Sequence, residues 1–144
     1  MVVTIPATRG ANVLTYPSAF TVPTGRAHWH TLLRARAIEC QSYVIAAAQS
    51  GKHNDKRSSY GHSIIIDPWG KVVAEIEEEG EGVASAELDL TKVSKVREEM
   101  PVGQHRRHDL YALAARDNQV WPLTRFFCFL LCQAFFGRFS GFGG

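Results

Sequence analysis

Nowhere does the chain hold the ~20 consecutive apolar residues that a membrane-spanning helix requires. Its most hydrophobic stretch, 126–136, reads FFCFLLCQAFF, contains Gln133 and stops well short of that length. It also lacks the interleaved Lys/Arg face of an interfacial helix, so no membrane role is expected. Charge of one sign is equally scarce. Sixteen Lys and Arg against fourteen Asp and Glu leave +2 with histidines neutral, too little to argue for nucleic acid or an acidic surface as a partner. Cysteine is sparse too. Cys40, Cys128 and Cys132 give an odd count without framework spacing, which excludes a disulfide-rich secreted scaffold and predicts free thiols in a reducing compartment. The first nine residues include Pro6 and Arg9 and have no apolar core, so they do not read as a secretory signal. No internal repeat is visible.

What is present is a globular composition. With 144 residues, 45% hydrophobic and 21% charged, the chain can bury one real core and is too short for two comfortable domains. Residues 12–16 read as a short buried strand stopped by Pro17, and 18–25 as a loop carrying Pro23 and Gly25. A helix is predicted from there, with Thr24 as N-cap. Trp29, Leu33, Ala37 and Cys40 make an apolar stripe along it, with Leu32 beside the stripe. Arg34 and Ile38 share another face, which predicts cover on more than one side.

Residues 43–48, YVIAAA, are continuously apolar and read as a strand buried on both faces. Residues 49–60 hold Gly51, Asn54, Asp55 and several Lys/Arg, and read as an exposed or pocket-lining loop. Residues 62–67 and 72–76 flank Asp67-Pro68-Trp69-Gly70, a hairpin with the turn residues in the right places. Residues 75–81 carry five acidic and no basic side chains, a solvated bend in preference to a metal-binding or protein-binding segment. A strand is predicted over 83–90 and a helix over 91–100, with Val93 and Val96 inward and Lys92, Lys95, Arg97, Glu98 and Glu99 outward. The order strand, helix, four strands, helix defines an α/β fold with a local antiparallel hairpin.

Several longer stretches match a known pattern in order and spacing. Leu14-Thr15-Tyr16-Pro17-Ser18-Ala19-Phe20 is followed by Thr24-Gly25-Arg26-Ala27-His28-Trp29. Leu32-Leu33-Arg34-Ala35-Arg36-Ala37-Ile38-Glu39, Tyr43-Val44-Ile45-Ala46-Ala47-Ala48-Gln49, Ser59-Tyr60-Gly61-His62-Ser63 and Asp67-Pro68-Trp69-Gly70 follow. His105-Arg106-Arg107-His108-Asp109-Leu110-Tyr111 closes the series. Together they resemble the nitrilase superfamily of carbon–nitrogen hydrolases, and within it the Nit-type amidases that act on deaminated glutathione. The resemblance covers residues 10–111, leaving 1–9 as an atypical N-terminus and 112–144 as a divergent hydrophobic tail.

That resemblance implies an α-β-β-α sandwich, here partial, that pairs through its helices into a homodimer. It implies cytoplasmic residence, with mitochondrial forms in the family, and no cofactor or metal. It also implies covalent catalysis in which a Cys attacks the amide carbon, a Glu acts as base and acid, and a Lys stabilises the oxyanion. The family's nucleophile motif, Cys-Tyr-Asp-x-Arg-Phe-Pro-Glu, does not occur in this sequence, and all three catalytic residues precede the segment matching 10–16. The expectation is therefore a C-terminal portion with no catalytic residue of its own. Such a chain would either belong to an intact amidase taking a small-molecule amide, or pair with full-length subunits as a non-catalytic partner.

Carried over from the family, Ser18, Ala19, Phe20 and Thr21 line part of the substrate pocket, with core anchoring as the alternative for Phe20. Cys40 lies on the apolar stripe and reads as a core thiol. His28 and His30, two apart on a helix, point about 200° from each other and make poor joint metal ligands. The family usually carries Glu where this chain has His30, a change of surface or interface charge that adds no site. His105, Arg106, Arg107 and His108 form a basic cluster better suited to closing a dimer than to binding phosphate. The loop at 51–60 lacks the Gly-x4-Gly-Lys-Ser/Thr pattern of a phosphate cradle.

Overall fold

The computed structural model describes residues 10–76, 82–105, 107, 109 and 110. The expectations for 1–9, for 77–81 of the acidic run, for Arg106 and His108, and for the tail from 111 onward lie outside the described residues. The chain divides into two compact units, Met1–Arg106 and Arg107–Gly144. In the second, Arg107 pairs with Asp109 at 2.5 Å; all else below concerns the first.

The first unit opens with β1 (Val13–Thr15), α1 (Val22–Cys40) and β2 (Tyr43–Ala46). The two strands run parallel in the register Val13↔Tyr43, Leu14↔Val44, Thr15↔Ile45, and α1 is the crossover that parallel pairing demands. α1 starts earlier than the sequence suggested. Thr21 is the N-cap and Pro23 lies in the first turn, where its missing N–H costs nothing and its fixed φ suits the helix. Thr24 is therefore inside the helix, its hydroxyl donating to the Thr21 carbonyl at 3.1 Å.

The apolar stripe holds as drawn, with Trp29, Leu33, Ala37 and Cys40 all buried against Leu14, Val44, Ala46, Ile64 and Ile66. On the other face Arg34 Nε donates to the Gly70 carbonyl at 2.8 Å. The helix ends at Gln41, whose backbone sits in the left-handed region at φ 49° and donates to the Ala37 and Ile38 carbonyls. Its side-chain amide meanwhile reaches the Met100 carbonyl at 2.6 Å.

β3 (Ser50–Asn54) and β4 (Arg57–Tyr60) form a two-stranded hairpin where an irregular loop was expected. Its residues are polar and mostly exposed, so no alternation of apolar side chains marked it. β5 (Ile64–Ile66) and β6 (Val72–Glu75) pair antiparallel as predicted, completing a four-stranded sheet in the order β1-β2-β5-β6. Their turn closes with Gly70 N–H donating to the Asp67 carbonyl at 2.9 Å, and Gly70 takes φ 85° there.

The strand expected over 83–90 does not form. The segment makes no ladder among the described residues, and Val83 is 96% exposed. Strand propensity depends on context and does not by itself place a segment on a sheet edge. α2 (Leu90–Glu99) follows, capped by Asp89, whose side chain accepts from Thr91 N–H. Val93 and Val96 are buried as expected, but Arg97 is not simply outward. Its guanidinium reaches the Ala11 carbonyl, Asn12 Oδ1 and Ser42 Oγ at 2.7, 3.1 and 3.0 Å.

Candidate functional site

Because β1 and β2 are parallel, their C-terminal ends lie side by side, and in open α/β sheets ligands enter beside such ends. The segment 16–21 crosses that edge. Ser18 N–H donates to the Ala47 carbonyl and the Ser18 carbonyl accepts from Gln49 N–H, both at 3.0 Å. The Phe20 carbonyl accepts from Tyr60 N–H at 2.9 Å, tying the segment to β4. Both neighbours of this loop therefore hold it in place: the end of β2 on one side and the β3–β4 hairpin on the other.

Along it, Ala19 and Thr21 are exposed, and Ser18 and Phe20 half-buried. The Phe20 ring stands edge-on to Trp29 with centroids 5.1 Å apart and packs against the core cluster. Phe20 thus serves as the loop's anchor. Thr21 Oγ1 lies 2.9 Å from Thr24 Oγ1 at the start of α1.

Cys40 is buried and is not in a disulfide. It closes a 19-residue helix whose N-cap is Thr21, so at 1.5 Å per residue the two lie about 28 Å apart. The Cys40 thiol thus sits at the opposite end of α1 from Thr21. Burial pushes the nearby Tyr16 phenol up, with Cys40 adding to the effect and Arg36 opposing it.

A second constellation joins residues that sequence reasoning kept apart. His30 Nε2 and His62 Nδ1 lie 2.7 and 2.8 Å from the same oxygen of Glu75. His62 sits between β4 and β5 at φ 60°, a left-handed conformation uncommon outside glycine. Its carbonyl accepts from the Trp29 indole at 2.7 Å, and its ring stacks on Tyr60 at 4.3 Å. His30 was expected only to alter surface charge, and Glu75 to belong to a solvated bend. Instead Glu75 is shielded, 16% exposed, between two imidazoles. The separations, 45 and 13 residues, leave no local signal from which the group could have been read.

At the β5–β6 turn, Asp67 is 1% exposed. Its Oδ1 accepts from Trp69 and Lys71 N–H, both at 2.9 Å, and its Oδ2 from Lys92 Nζ. Lys92, expected to face outward, is thus half-committed to the turn. These groups border an open groove of about 600 Å³ with Trp69, Asp89, Thr91 and Lys95. The ion pair there satisfies the buried carboxylate of the turn. Among the described residues no helix is long and apolar enough to cross a membrane.

This fold has close counterparts. The carbon-nitrogen hydrolase family model matches residues 2–98, and the chain belongs to that family, as a partial α-β-β-α sandwich. It is 60% identical over 102 residues to the deaminated glutathione amidase of Bos taurus, an alignment covering 71% of this chain and 31% of that protein. It is 61% identical over 105 residues to the nitrilase and fragile histidine triad fusion protein of Caenorhabditis elegans, covering 73% and 24%. The crystal structure of that worm protein superposes with a TM-score of 0.75, covering 77% of this chain and 27% of the other. Saccharomyces cerevisiae Nit3, of the nitrilase superfamily, gives 0.68 at 40% identity, with 74% and 39% covered. The chain spans about a third or less of the length of these two curated relatives.

Proposed function

We propose that this chain is the C-terminal portion of an amidase that hydrolyses linear amides of the deaminated glutathione class. The supporting observation is the 60% identity to an amidase so named. In this reading the anchored 18–21 loop forms one wall of the substrate pocket. Ser18 and Thr21 present hydroxyls to the amide substrate, Ala19 leaves room for it, and Phe20 fixes the loop from beneath. The 144-residue chain supplies this wall and the packing of α1, and no nucleophile of its own. Acyl transfer through a thioester needs a thiolate, a base beside it and an oxyanion donor, and Cys40 lies at the wrong end of α1.

The test is ammonia release from deaminated glutathione by two purified proteins. One is the 144-residue chain. The other is a chimera joining the preceding part of the bovine amidase to residues 10–111. Turnover by the chimera alone is the expected result. Turnover by the short chain that disappears in Cys40→Ala would overturn the reading and make Cys40 the nucleophile.

A second reading shares the same fold. A chain lacking the reacting residues and keeping the α1 surface can pair with full-length subunits. The apolar residues Leu32 and Ile38, 43% and 44% exposed on α1, favour it. Co-purification with a tagged full-length relative, lost in Leu32→Asp, is its expected signature. Unchanged co-purification in that variant would count against α1 as the pairing surface.

A further inference from the structure

Three ligating atoms from three separate parts of the fold converge on one point. His30 Nε2 comes from the middle of α1, His62 Nδ1 from the β4–β5 connection and Glu75 Oε1 from the end of β6, all within 4.8 Å of one another. Their side chains are 36%, 26% and 16% exposed, so the point is sheltered and still open to water. The aim of each ring is fixed. The positive φ of His62 and the Trp29 bond to its carbonyl set its backbone, and the Tyr60 stack sets its plane. His30 stands edge-on to both Tyr60 and His62, at 6.4 and 5.7 Å between centroids.

Two imidazoles and one carboxylate are a donor set that borderline divalent ions favour, whereas calcium and magnesium call for oxygen ligands throughout. We propose that His30, His62 and Glu75 form a divalent transition-metal site that takes zinc, with water as the fourth ligand. Ligand atoms around tetrahedral zinc stand roughly 3.3 Å apart. The two contacts to Glu75 must therefore open by about half an ångström each, which side-chain rotation supplies. Each neutral imidazole places its hydrogen on the nitrogen facing away from the ion, so the metal replaces two hydrogen bonds to Glu75. The bound ion would clamp α1 to the β5–β6 hairpin. This inference does not depend on the amidase reading, because no catalytic step enters it.

The test uses the full 144-residue chain stripped of metal with a chelator. Zinc titrated against a chromophoric competitor should bind at one ion per chain, and His30→Gln, His62→Gln and Glu75→Gln should each weaken binding by about tenfold or more. Far-UV circular dichroism confirms that each variant retains its fold. Zinc-edge X-ray absorption of the parent chain needs no variant and reads the ligands in any state of association. It should show imidazole and carboxylate donors and no sulfur at about 2.3 Å. Sulfur in the spectrum would assign the zinc to cysteines and overturn the site. So would folded variants that bind as tightly as the parent, or no saturable binding at all.

Discussion

Asp67 answers for three neighbours with one carboxylate. Burial alone pushes its pKa up. The Lys92 ammonium and the N–H groups of Lys71 and Trp69 more than offset that, so its carboxyl sits below the usual carboxylate range. A depressed folded pKa stabilises the fold above the unfolded value, about 3.9, and that contribution is lost as pH falls through the lower folded value. Asp67→Asn, which removes the charge while keeping one acceptor, should cost about 1–3 kcal/mol at neutral pH. Urea midpoints for the parent and the variant should differ at pH 7, and the gap should narrow as pH falls below about 3.9 toward the folded value. A gap of constant size would show that Asp67 contributes shape and not charge. The Asp-Pro-Trp-Gly turn was legible because proline and glycine restrict backbone angles locally. Lys92 was not, because nothing in its own helix reveals a carboxylate 25 residues earlier.

At the level of elements, legibility followed periodicity. The stripe of Trp29, Leu33, Ala37 and Cys40 is set by the helical repeat, and the buried β2 by unbroken apolarity. The β3–β4 hairpin has neither cue, because its partner is itself and most of its side chains face water. α1 and this hairpin approach each other closely at Gly25. A Cβ built there would stand 2.1 Å from Tyr60 Cγ, so the ring that supports His62 also requires glycine across from it. Gly25→Ala should lower stability by about 1–3 kcal/mol, the range for overpacking, and disturb the Tyr60–His62 stack. Thermal unfolding reads the first effect, and the shift of the His62 imidazole resonances reads the second. A variant with parental melting and unmoved resonances would mean that the helix and hairpin are not in close contact.

For the whole molecule, the four-stranded sheet ends in β1 and β6 without further partners among the described residues. Open edges invite pairing with another chain, and Leu32, Ile38, Trp69 and Val73 add exposed apolar area. The isolated chain should therefore self-associate, or bind a full-length relative, in analytical ultracentrifugation. A soluble monomer with one cooperative melt would contradict this.

The hairpin tip carries a consequence for how the polypeptide can be interrupted. Lys52, Lys56 and Arg57 are all exposed there, around the two-residue connection between the paired Asn54 and Arg57. A cut after Lys56 divides the chain into one piece with β1, α1, β2 and β3 and another with β4, β5, β6 and α2. The seam between them is the molecule's own interior. It includes the β2–β5 ladder of Val44, Ile45 and Ala46 on Ile66, Ile65 and Ile64. Arg97 to Asn12, Gln41 to Met100 and Trp29 to His62 cross it as well. Limited trypsin digestion should therefore give two peptides that co-elute until denaturant is added. The same tip should accept an inserted sequence, or the ends of a circularly permuted chain, without the two halves losing each other.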